Sequence, residues 1–173
     1  MLLLRKISVL VCMTMMLMSC GFTPVYKTDT GDKIIAPELK TITVAKINRG
    51  VQGVKLKAHL EDIFNPKGVD SWKHYVLSVT LEYRKDPLLI EQNRDINRYN
   101  IMMKGHFSLK DKALGKVVYS DVSRLTNGYR VVDSDFATLS SEEDTENRII
   151  AEMAKDISFK ISDYFLSQKQ EAE

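Results

Sequence analysis

Cysteine is nearly absent from this chain of 173 residues: there are two, Cys12 and Cys20. Cys12 lies inside the apolar run at residues 7–18. If residues 1–19 leave as an export signal, Cys20 stands alone, which excludes an internal disulfide even in an oxidising compartment. Histidine is scarce too. His59, His74 and His106 lie far apart, none with a metal-ligand partner at helical or strand spacing, and they read as surface imidazoles. Gly-x-Ser-x-Gly, Walker and Gly-x-Gly-x-x-Gly patterns do not occur, which removes the nucleophile elbow, the phosphate-cradling loop and the dinucleotide fingerprint. The carboxylates Glu142, Glu143 and Asp144 are adjacent at a predicted helix start, where such residues serve as caps. Nothing fills the roles of nucleophile, base or oxyanion donor, so the expectation is a non-enzyme without metal or catalytic cofactor. Charge of one sign is also missing. The 25 Lys+Arg include Arg5 and Lys6 of the signal, and the remaining 23 balance the 23 Asp+Glu, so nucleic acid is not implied as a partner. Beyond Cys20, no stretch reaches the ~20 apolar residues that span a bilayer.

What is present begins with the signal. A basic head (Arg5, Lys6), an apolar middle and the small residue Ser19 have the order of a secretory signal. Leu17-Met18-Ser19-Cys20 resembles the lipobox of bacterial lipoproteins. That resemblance implies cleavage between Ser19 and Cys20, with a diacylglycerol and an N-acyl lipid carried on Cys20. One acyl chain holds a protein to a membrane only marginally, at ~0.8 kcal/mol per buried CH₂, whereas two or more anchor it stably.

Residues 20–38, with Pro24, Gly31 and Pro37 among polar residues, read as an irregular tether. A single domain is expected over residues 39–168. Residues 39–47 are rich in β-branched side chains and predict a first strand. After a turn at Asn48-Arg49-Gly50, Leu56, Leu60, Ile63 and Phe64 mark one face of a short helix whose first turn Gly53 weakens and Asn65-Pro66 ends. Tyr75, Leu77, Val79, Leu81 and Tyr83 alternate with Val76, Ser78, Thr80, Glu82 and Arg84, a half-buried second strand. Its continuation through Pro87 belongs at an edge or bulge, since proline cannot donate to a ladder. A turn at residues 92–95 leads to a third strand with Tyr99, Ile101, Met103, Gly105, Phe107 and Leu109 on one face. Residues 116–126 predict a fourth, after which Asn127-Gly128 breaks or bends the sheet. Ser140 and Ser141 with Glu143 and Asp144 form overlapping capping boxes. Behind them Ile150, Met153, Ala154, Ile157, Ile161, Tyr164 and Phe165 make a long helical stripe, followed by a frayed tail at residues 169–173. The order β-α-β-β-β-α predicts a two-layer α/β sandwich of the α+β kind, about four mixed strands packed by two helices.

The remaining chemistry is surface. Arg84, Lys85, Arg94 and Arg98 cluster toward the far end of the hairpin beside Leu88, Leu89 and Ile90, a candidate contact for an anionic lipid or a protein partner. A family resemblance gives this a direction. Cys20-Gly21-Phe22-Thr23-Pro24-Val25-Tyr26 is similar to the mature start of the lipopolysaccharide-assembly lipoprotein LptE family. The element order, with Leu109-Lys110-Asp111, Gly115-Lys116 and Ser140 before the terminal helix, is similar across the mature chain. The resemblance implies a lipid-anchored protein on the periplasmic side of the outer membrane. Its implied partners are an LptD-like β-barrel, which it plugs, and lipopolysaccharide. Only Cys20 is carried over from the family as a functional residue. Two other readings remain open, a lipid-anchored scaffold of a different envelope complex and a lipid-transport auxiliary.

Overall fold

The computed structural model describes residues 37–66, 68, 72–90 and 96–171. They belong to a unit that begins at Ile35. The signal, Cys20, most of the tether, the turn at 92–95 and Arg94 lie outside the described residues.

The described residues open with a 3-10 helix, Pro37–Thr41, where the first strand was expected. Pro37 fixes a helical φ at its start, and the Thr41 hydroxyl donates to the Glu38 carbonyl at 2.6 Å. Strand β1 is therefore only Ile42–Val44, although Leu39 and Ile47 are still buried on either side of it. Helix α1, Gly50–Phe64, follows. Arg49 precedes it in the left-handed region at φ 75°. Gly53 is required there, because a Cβ would stand 2.1 Å from the Asn48 carbonyl oxygen.

Strands β2 (Tyr75–Ile90), β3 (Ile96–Asp111) and β4 (Val117–Arg130) build the rest of the sheet. The order is β1-β2-β3-β4, with β1 parallel to β2 and the other pairs antiparallel. The mixed four-stranded sandwich matches the fold expected from sequence. Pro87 sits where expected. β1 covers β2 only from Tyr75 to Leu77, and the ladder to β3 shifts register just after Pro87. β4 does not break at Asn127-Gly128 but runs on to Arg130. Gly128 packs close to Asn100: a Cβ there would meet the Asn100 side-chain oxygen at 2.8 Å, and that side chain would have to shift.

Helix α2 covers Asp135–Glu171. It starts five residues earlier than the capping boxes indicated and reaches Glu171, inside the tail expected to fray. Ser134, immediately before it, accepts the Ala137 amide, and Thr138 bonds both backbone groups of Val132. The three carboxylates behind are thus free for other partners. The 37-residue helix is ~55 Å long, and the 16-residue strands β2 and β3 are ~53 Å, so α2 is as long as the hairpin. Its stripe of Ile150, Met153, Ala154, Ile157, Ile161 and Phe165 joins Leu56, Leu60 and Phe64 of α1 in one core, on Leu77, Val79, Leu81, Ile101, Met103, Phe107 and Leu109 of the sheet. At the strand end near Tyr75, an aromatic cluster fixes α2: Tyr75 meets Phe165 at 5.2 Å and Tyr119 stacks on Tyr164 at 4.8 Å. Lys169 adds an ion pair to Glu38 at 2.6 Å.

One core group is mismatched. Ser123 is fully buried, and its hydroxyl has no hydrogen-bond partner among the described residues. An unsatisfied buried hydroxyl costs roughly 1–3 kcal/mol. Ser123→Ala is expected to raise the denaturation midpoint, by about 1 kcal/mol in stability, read from urea titration at unchanged m value.

Candidate functional site

Both helices lie on one sheet face, and the alternation of the strands sends the other residues to the opposite face, which no described element covers. That outer face carries Ser78, Thr80, Glu82 and Arg84 from β2, Arg98, Met102, Lys104, His106 and Ser108 from β3, and Ser120, Val122, Arg124, Thr126 and Arg130 from β4. It is polar and shallow. A depression of about 410 Å³ lies over Ser78, Thr80, His106, Ser108, Ser120 and Val122.

The four basic residues singled out in the sequence do not act as one group. Arg84 is on the outer face, exposed, and its guanidinium donates to Asp86 at 2.7 Å. Lys85, one residue on, points to the helix face. Its ammonium donates to Glu142 of α2 at 2.7 Å and lies 4.9 Å from the Tyr99 ring and 5.3 Å from that of Tyr129. The two rings stack at 5.8 Å, and the Tyr129 hydroxyl donates to the same Glu142 oxygen at 2.7 Å. Lys85 therefore ties the far end of the hairpin to the first turns of α2. Arg98 is exposed on the outer face directly opposite Arg130. Arg94 lies outside the described residues.

The electrostatics agree with a structural role for Lys85. Burial opposes its charge, but hydrogen bonds to Glu142 and Tyr129 and the Glu142 charge outweigh it and raise the ammonium pKa. Burial likewise pushes Glu142 up, yet the bonds from Lys85 and Tyr129 and the Lys85 charge bring it below its ordinary value. A carboxylate with a lowered folded-state pKa stabilises fully above its unfolded pKa, and that stability is lost as pH falls through the folded value. The stability gap between the wild type and Glu142→Gln is therefore expected to be constant above the ordinary glutamate pKa of about 4.3. It should close as the pH drops further, which denaturation curves from pH 7 downward will read.

Sequence reasoning missed Arg124 and Arg130. Their signal was parity: both fall an even number of residues from Thr126 and share its face, but the strand was ended too early to include Arg130. Arg130 matters most, because like charges facing each other across a ladder destabilise it. Beside it the same end of the molecule exposes apolar side chains: Leu88 near the hairpin end, Val132 in the connection, and Phe136, 81% exposed, with Leu139 on the first turns of α2. Among the described residues no group of three or more His, Cys, Asp and Glu is placed to hold a metal ion, and no helix is long and apolar enough to cross a membrane.

No protein-family model matches the chain, and no curated protein does. Solved structures do. A protein of Caulobacter crescentus described as a lipoprotein superposes with a TM-score of 0.64 at 19% identity, covering 78% of this chain and 96% of that one. Rare lipoprotein B from Shewanella oneidensis gives 0.60 at 11% identity, over 74% and 98%. A minor lipoprotein from Acinetobacter baumannii gives 0.55 at 18%, over 72% and 92%. At such identities the likeness is one of fold, and the sandwich described above is the fold these bacterial lipoproteins share.

Proposed function

We propose that this chain is a lipid-anchored lipoprotein of the lipopolysaccharide-assembly type, held to the periplasmic side of the outer membrane through Cys20. In this reading it works as a plug and assembly partner for an LptD-like β-barrel and binds lipopolysaccharide with its far end. The observation that carries the reading is the Arg98–Arg130 pair, two exposed like charges set opposite each other with Arg84 on the same face and Leu88, Val132, Phe136 and Leu139 exposed nearby. An anionic amphiphile relieves that repulsion with its phosphates and covers the apolar side chains with its acyl chains. The fold shared with three lipoproteins and the lipobox-like Leu17-Met18-Ser19-Cys20 support the anchor.

The test is direct binding of lipopolysaccharide to the full chain in detergent. Reversal of Arg84, Arg98 and Arg130 to Glu is expected to weaken binding by about tenfold or more, since a charge-assisted hydrogen bond is worth ~1.5–3 kcal/mol. Unchanged affinity removes the lipid-binding role. Co-purification separates the rivals: retrieval without a large outer-membrane barrel supports a scaffold of another envelope complex.

A further inference from the structure

β4 is the last strand of the sheet, so among the described residues its outer edge has no strand neighbour. Long bare edges invite pairing with another chain. This one is occupied at one point by the protein's own side chains. The Val122 amide donates to the Asp121 carboxylate at 2.7 Å, and the Val122 carbonyl accepts from the Lys160 ammonium at 2.7 Å. Lys160 comes from α2 and is held in place by ion pairs to Asp121 at 3.1 Å and Asp156 at 3.7 Å. The Tyr119 hydroxyl donates to the other Asp121 oxygen at 3.3 Å. Both backbone groups of Val122 therefore face away from β3, and the unbroken register to Arg130 sets the same direction at Arg124, Thr126, Gly128 and Arg130.

We propose that Lys160 and Asp121 form a clasp that closes the β4 edge to strand addition, and that the occupant it excludes is the β4 edge of a second copy of this chain. Two such edges match antiparallel about a two-fold axis at Thr126. Arg124 then faces Gly128 and Val122 faces Arg130, so no like charges oppose one another. In that register the Val122 groups bond Arg130 of the other copy, and these are the groups the clasp holds. The clasp removes the outermost pair at each end and places a helix side chain in the path of the incoming strand.

The experiment measures the mass of the full chain by sedimentation in density-matched detergent over a concentration series. The wild type is expected to remain a monomer. The variant Lys160→Met with Asp121→Ala is expected to dimerise in a concentration-dependent way. Adding Thr126→Pro to it should restore the monomer, because that amide serves only the second copy and proline is tolerated on an edge. Lys160→Met alone, which keeps the aliphatic stem, gives a weaker dimer if the double variant fails to fold. A wild-type dimer overturns the proposal, as do variants that stay monomeric with native circular dichroism. Dimers that persist with Thr126→Pro also overturn it, by placing the contact elsewhere.

Discussion

Replacing Ile157 with alanine is expected to cost about 2–5 kcal/mol of stability. Ile157 is fully buried on α2 and belongs to the same core as Leu60, Phe64 and Leu109. The truncation leaves a cavity lined by both layers, and a core built on two long elements cannot collapse locally to fill it. Phe159 is the control. It lies two residues on, turns to the opposite side of the helix and is 51% exposed. Phe159→Ala should change stability by no more than about 0.5 kcal/mol. Urea midpoints at constant m value report both. Equal effects would mean that α2 does not present the 150–165 stripe to the sheet.

Changing Cys20 to Ser is expected to have the largest consequence for the protein in the cell. In the proposed reading, two or more acyl chains at ~0.8 kcal/mol per buried CH₂ anchor the protein stably, whereas no acyl chain leaves only surface contacts. The variant should appear as a retained precursor or as unlipidated periplasmic protein, and metabolic labelling with a fatty acid should no longer mark it. Full partition of Cys20→Ser with the outer membrane would show that something other than lipid anchors the chain.

The regular parts of the domain were legible in its sequence because each buries one face. Alternation located β2 and β3 to within a few residues, and the 3.6-residue stripe identified α2 and most of its buried positions. The failures are at ends, where apolar period gives no information. Residues 39–41 have strand propensity, but Pro37 and Thr41 wind them into a 3-10 turn. Gly128 reads as a breaker, yet it sits within a continuous strand, close beside the Asn100 side chain. The capping boxes at Ser140 and Ser141 were sound local chemistry placed inside a helix that Ser134 and Thr138 had already started. The candidate site was only half legible for a related reason. Adjacent basic residues on a strand point to opposite faces, so Arg84 and Lys85 separate, one to the open sheet and one to the Glu142 and tyrosine cluster. The residues that Arg98 and Lys85 face come from β4 and α2, 32 and 57 residues further along the chain, and no local pattern joins them.

The proposed partnership with a barrel is tested most directly by crosslinking in intact cells. A photoreactive amino acid at Met102 or Thr126 sits on the outer face without removing any of its charges. The expected product is a covalent adduct with one large outer-membrane β-barrel of the LptD type, identified by mass spectrometry and absent when the label is at buried Leu60. Adducts confined to other envelope proteins, with no barrel among them, would contradict the account.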